Sequence, residues 1–76
     1  MNNANLVILG QRIRERRKTF GWTQEELADR AGIDRSYVGG VERGYRNLTF
    51  TVLCRLCAPL QCDVATLTVG LPEIDQ

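Results

Sequence analysis

Between Thr23 and Glu42 the chain leaves itself few options. Thr23-Gln24-Glu25-Glu26 has the form of a capping box. The Thr23 hydroxyl can accept from the backbone N–H three residues on, while Glu26 reaches back to the Thr23 N–H. A helix therefore starts at Gln24. Gly32 then offers a left-handed stop, Ile33 plugs the turn, and Asp34 is a good N-cap for a further helix running to about Gly44. Two helices joined by so short a turn must cross at close range. Ala28 is the small side chain such a crossing needs, and Leu27, Ala31, Ile33, Val38 and Val41 are the apolar positions that lock the pair.

The flanks predict three more helices, with no alternating stretch for a strand. Leu6, Leu9, Ile13 and Phe20 recur at spacings of three, four and seven, one face of a first helix that Gly21 ends. Trp22 follows as a core anchor. After a polar loop from Tyr45 to Asn47, Thr49 caps a fourth helix with Leu53, Leu56, Cys57 and Leu60 inward. Asp63 caps a short fifth piece around Val64–Val69. Gly70, Leu71 and Pro72 end the structure, and the last four residues are expected to fray. The expectation is an all-α, five-helix domain over residues 1–76, with its core in 6–69 and a tail over 70–76. A chain of 76 residues buries only about 60% of the surface its unfolded form exposes, so a partner subunit would help it.

The net charge of +1 hides an asymmetry. Residues 1–47 hold nine of the ten bases and six of the nine acids, a net +3, whereas residues 48–76 carry a net −2. A basic front and an acidic back suit a chain that meets a polyanion with one face. The plainer alternative makes Arg12, Arg14, Arg16, Arg17 and Lys18 the solvated face of the first helix.

The segment Gln24 to Val41 follows the logic of a helix-turn-helix. Its positions also resemble the phage-repressor-like (Cro-type, Xre) helix-turn-helix family. Leu9-Gly10 through Ile13-Arg14, Trp22-Thr23-Gln24-Glu25-Glu26-Leu27-Ala28 and Val41-Glu42-Arg43-Gly44 look like that family's most recurrent stretches. The likeness covers residues 6 to 69 and implies a lambda-repressor-like DNA-binding domain. A narrower likeness lies in Asp34-Arg35-Ser36-Tyr37-Val38-Gly39-Gly40-Val41-Glu42-Arg43, followed by Arg46-Asn47-Leu48-Thr49. It resembles restriction–modification controller proteins, small dimers of this fold. Such proteins act on their own promoter and time expression of an endonuclease. They activate at low occupancy and repress when a second dimer adds cooperatively.

The resemblance implies that the third helix enters the major groove with its first residues against base edges. Arg35 and Ser36 are then the leading base-readers, with Asp34 and Gly40 at the margins. A guanidinium donates two parallel bonds to guanine O6 and N7, worth about 1–3 kcal/mol of discrimination. The competing reading has Arg35 pairing with Asp34 or Glu42 on the surface. Gly39-Gly40 inside a helix costs about 1 kcal/mol per glycine relative to alanine. Either another helix packs tightly there, or the pair leaves room for DNA to approach, and the family position favours DNA. Gln24 matches a phosphate-donating position, with Tyr37, Arg43, Arg46 and Asn47 placed for flanking phosphates. Tyr45 could serve DNA, core or dimer. Arg17 lies near the inward stripe of the first helix, and the resemblance pairs it with Glu42 as a structural ion pair.

Other chemistries find little support. The sequence has no His, the commonest general base and metal ligand. Cys54, Cys57 and Cys62 form a C-x2-C-x4-C set with Asp63 as the sole nearby substitute for a fourth ligand, whereas structural zinc wants four. They read better as small core hydrophobes. No nucleophile–base pair or phosphate-cradling glycine loop is present, and the longest apolar run near the start is too short for a membrane span. The expectation is a cytoplasmic, non-enzymatic regulator of transcription that binds double-stranded DNA without a cofactor or small-molecule ligand. A homodimer is expected through surplus apolar residues of the back half, Val52, Cys54, Val64, Val69 and Leu71, on a palindromic operator. A phage-type or antitoxin-type repressor, or an interaction module that lost DNA binding, are the other readings.

Overall fold

The computed structural model describes residues 3–73. Five helices occupy them, with no strand among the described residues: α1 (Ala4–Thr19), α2 (Gln24–Ala31), α3 (Arg35–Glu42), α4 (Phe50–Leu60) and α5 (Val64–Thr68). The capping box forms in full, with Thr23 Oγ1 accepting from the Glu26 N–H at 3.1 Å and Glu26 Oε1 accepting from the Thr23 N–H at 2.9 Å. Asp34, Thr49 and Asp63 cap α3, α4 and α5. The third helix ends at Glu42, two residues earlier than the sequence pattern suggests. Gly44 lies beyond it, at φ +79°, where it lets the chain fold back.

Four helix C-termini close in one way. The residue after the left-handed position returns its N–H to the last full turn: Trp22 to Arg17 O, Ile33 to Ala28 O, Tyr45 to Gly40 O and Cys62 to Cys57 O. Glycine takes the left-handed place in the first three. Gln61 takes it in α4, at φ 56°, a departure no composition rule signals. Pro59, inside that helix, has no N–H to extend the ladder, and α4 stops one residue later.

The core is built from the residues the periodicity selects. Ile13, Leu27, Val38, Leu56 and Leu60 are wholly enclosed, with Leu9, Ala28, Ala31, Val41, Leu53, Cys57 and Leu67 around them. Leu6 is only half-buried and lies outside this cluster. Trp22 is not a deep anchor either. It is half-buried, stacked on Phe20 at 4.6 Å and covered by the Arg30 guanidinium at 4.2 Å. The tail is more engaged than expected. Leu71 packs against the core, and the Glu73 N–H donates to Asn5 Oδ1 at 2.7 Å. Of the four residues expected to fray, 74–76 lie outside the described residues.

Helix α1 meets the end of α3 at close range. A Cβ on Gly10 would overlap the Val41 carbonyl oxygen and stand 2.7 Å from that of Glu42. Backbone cannot yield as a side-chain tip can. Replacing Gly10 with alanine is expected to destabilise the fold by about 1–3 kcal/mol, despite its better helix propensity, in urea denaturation.

The caps set an acid limit. The Asp34 and Asp63 carboxylates are held below their ordinary range by the hydroxyls and backbone N–H groups of Ser36 and Thr66. Their folded values lie under their unfolded ones, so the stability they contribute is present above the usual carboxylate range and lost as pH falls through the folded values. The thermal midpoint should therefore fall once pH drops below about 4. In Asp34→Asn, which keeps a capping oxygen, that acid-side fall should be shallower.

Candidate nucleic-acid interface

Helix α3 has an inner and an outer side. Val38, Val41 and Glu42 face the core. At the N-terminal end Asp34, Arg35 and Ser36 are all exposed. Asp34 Oδ1 accepts from both the N–H and the hydroxyl of Ser36, each at 2.8 Å. With its proton so engaged, Ser36 offers an outward acceptor and Asp34 a second free oxygen. Arg35 pairs with neither candidate partner, since the one salt bridge among the described residues is elsewhere.

Further along the helix the outer side is covered. Gly39 and Gly40 are both buried, Gly39 beneath Gln24 and Arg43, Gly40 beneath Arg46. A Cβ on Gly40 would stand 2.6 Å from Arg46 Cγ. The room that the sequence reading left for DNA is filled by the chain's own side chains, which corrects the open-approach explanation of this pair; Gly39 lies under Gln24 of the neighbouring α2, whereas Gly40 is covered from the loop. Tyr37 is half-buried and donates its hydroxyl to Asn47 O at 2.6 Å, bracing the loop after α3. The Arg46 guanidinium lies 5.7 Å from its ring centre, and that of Arg43 lies 5.6 Å from the centre of Tyr45. Arg43, Tyr45, Arg46 and Asn47 are exposed.

Beneath this surface lies a buried ion pair. Arg17 Nε and Nη2 donate to Glu42 Oε2 and Oε1 at 2.7 and 2.9 Å, and Arg17 Nη1 donates to Trp22 O at 2.6 Å. Gln24 Nε2 gives a further bond to Glu42 Oε1 at 3.1 Å. The bond to Glu42 raises the Arg17 pKa and outweighs the lowering by burial, so the guanidinium stays charged. One of the two Gln24 amide hydrogens is thus committed inward, which leaves one for a ligand.

Against this geometry the comparisons with known proteins are specific. The family model described as helix-turn-helix matches residues 13–67. The chain belongs to the helix-turn-helix family. It is 38% identical over 60 residues to control protein C.SmaI of Serratia marcescens, covering 79% of this chain and 71% of that one. The crystal structure of the restriction-modification controller protein C.AhdI from Aeromonas hydrophila superposes with a TM-score of 0.83 at 48% identity, over 86% of this chain and 98% of that one. The master regulator for biofilm formation SinR, in complex with DNA, superposes with a TM-score of 0.75 at 38% identity, over 78% of this chain and 95% of that one. SinR of Bacillus subtilis matches by sequence over 79% of this chain but only 55% of that protein.

The first helix carries less free basic charge than its sequence suggests. Arg12 donates to Leu67 O and Val69 O at 3.0 and 2.7 Å, and Arg16 to Leu60 O and Gln61 O at 2.7 and 3.1 Å. Both cap the carbonyl ends of the last two helices, where a cation is favoured. With Arg17 buried, three of the five α1 bases serve the interior or the back half. Of the apolar residues expected at an interface, Val52, Val64 and Leu71 are half-buried against their own core, while Val69 is 67% exposed.

Cys54 is exposed, Cys57 buried and Cys62 half-buried, all as free thiols. Burial, with the neighbouring Cys62 second, pushes the Cys57 thiol up to about 12, so it stays protonated at neutral pH. No group of three His, Cys, Asp or Glu among the described residues could hold a metal ion, and no helix there is long and apolar enough to cross a membrane.

Two of the site's working contacts have no signature in the sequence: the Gln24–Glu42 bond and the Arg46–Gly40 packing. The first needs the angle between α2 and α3. The second announces itself only as an unexplained glycine pair.

Removing one ion-pair partner strands the other. Glu42→Leu is expected to destabilise the protein by about 3–5 kcal/mol in urea denaturation, and Arg17→Met with Glu42→Leu should recover much of that loss.

Proposed function

We propose that the chain is a sequence-specific regulator of transcription that binds double-stranded DNA as a homodimer on a palindromic operator, and that it is a controller of a restriction–modification system. One observation carries this reading: the N-terminal end of α3 presents Arg35 and Ser36 to solvent while its inner side is fastened by the Arg17–Glu42 pair. A probe that is open at its tip and fixed at its base is what major-groove reading needs. The match to a solved DNA complex supports DNA as the partner, and the matches to two controller proteins support the narrower role.

In this reading Arg35 and Ser36 contact bases, with Asp34 at their margin. Arg35 takes a guanine edge, and Ser36 accepts from an amino group. Gln24, Tyr37, Arg43, Arg46 and Asn47 flank the phosphates, and Gly40 bears on DNA through what covers it. The dimer forms through the back half around Val69, with Val52, Val64 and Leu71 beside it, and half-sites lie about 10 bp apart or a multiple of that. Two dimers then share one operator cooperatively. The protein works in the cytoplasm, without catalysis, cofactor or small ligand, as one domain over residues 1–76.

Selection from a random duplex pool with the full chain tests this. The expected product is an inverted repeat. On it, Arg35→Ala should cost about 1–3 kcal/mol and relax preference at one base pair in each half-site, whereas Arg43→Ala should weaken all sequences alike and lower the salt slope by about 1 per half-site. A pool that emerges unenriched, with binding indifferent to salt, would favour an interaction module instead.

A further inference from the structure

We propose that Gly40 is the seat of Arg46, a positioning residue that acts on DNA binding only through that side chain; the inference rests on the DNA-binding reading above. Three observations converge on it. First, the loop is folded back along α3 by its own backbone: Gly44 N–H donates to Val41 O at 3.0 Å and Tyr45 N–H to Gly40 O at 2.9 Å. Second, Tyr37 ties the same loop down through Asn47 O, and its ring lies under the Arg46 guanidinium. Third, the stem of Arg46 crosses the helix where a side chain would otherwise stand, with Cγ, Nε and Cδ at 2.6, 3.3 and 3.5 Å from a Cβ on Gly40.

The atom nearest that added carbon is Cγ, close to the root of Arg46 and not its tip. A methyl at position 40 cannot be avoided by swinging the guanidinium aside; the stem itself must lift off the helix. Gly39 differs. Its closest neighbours are the tips of Gln24 and Arg43, at 3.3 and 3.4 Å, which can give way. The two adjacent glycines therefore have unequal roles. Gly40 admits a loop-borne cation across the reading helix, so that Arg46 presents its charge from a fixed place beside Tyr37.

The test is a four-member cycle of wild type, Gly40→Ala, Arg46→Ala and the double variant, measured against the selected operator and by melting. Gly40→Ala is expected to keep or raise the melting temperature while losing roughly tenfold in affinity per half-site, of the order of one well-placed contact. In the Arg46→Ala background the same substitution should cost nothing. Equal losses in both backgrounds would mean that Gly40 borders the DNA itself, and no loss in either would mean that Arg46 needs no seat; each overturns the proposal. A readout without DNA separates this from failure of the DNA-binding reading. In the free protein the Arg46 side-chain protons should carry a ring-current shift from Tyr37 that Gly40→Ala abolishes and Gly39→Ala keeps. If Gly40→Ala leaves that shift intact, the seat is refuted whatever the protein binds.

Discussion

The Arg17–Glu42 pair is the contact through which the three helices around the site are held in register. Arg17 comes from the last turn of α1, Glu42 from the last residue of α3, Gln24 from the first of α2, and the Trp22 carbonyl from the turn between α1 and α2. An apolar cluster could hold these segments together but would tolerate sliding. A bidentate guanidinium–carboxylate contact does not, because both bonds require one plane and one distance. Buried charge is a poor way to gain net stability. Its use here is geometric: it fixes the angle at which the tip of α3 leaves the domain. No buried side-chain nitrogen or oxygen among the described residues lacks a partner, so the network is complete as well as buried.

That register explains where glycine is needed. Gly10 lets α1 approach the backbone of α3 at Val41 and Glu42, and Gly44 meets Val7 in the same crossing. Close backbone approach brings the carboxylate within reach of Arg17. The cost of glycine in a helix is about 1 kcal/mol each, small beside the loss that follows if the pair is pulled apart. Helix α3 thus has its inner side set by α1 and the C-terminal part of its outer side set by side chains lying in its glycine groove. Only the N-terminal turn is left bare.

The fold was largely legible in the sequence because its boundaries are chemical. Thr23, Asp34, Thr49 and Asp63 are capping residues followed by helical periodicity, and each caps where expected. Gln61 shows the limit of that approach: a left-handed cap without glycine is imposed by packing and carries no local mark. The site was legible in part. Arg35 and Ser36 stand exposed at the tip of α3, where a reading of turn and cap puts them. Gly40 illustrates the opposite. Two glycines in a helix signal that something comes close, but periodicity cannot tell DNA from another helix or from the chain's own Arg46. That choice depends on the backward fold of a loop whose conformation is set by Gly44, Tyr37 and Asn47 together.

The charge count misleads for a related reason. Nine bases in the first 47 residues suggest a broad cationic face. Yet Arg12 and Arg16 are spent on the carbonyl ends of α4 and α5, Arg17 on Glu42, and Arg30 lies over Trp22. What remains beside α3 is Arg35, Arg43 and Arg46. So few cations release few counterions, and affinity that does not come from counterion release must come from fit. A single domain with three such side chains would hold a duplex weakly at physiological salt. Doubling the set across a twofold axis roughly doubles the contact free energy without enlarging the domain, and it makes recognition depend on two correctly spaced half-sites. In the proposed homodimer, the internal use of the α1 arginines and the doubling of the α3 set answer one another. Bases that fasten the back half to the front give up their claim on phosphate, and it is this deficit that the second subunit of the proposed dimer would make good.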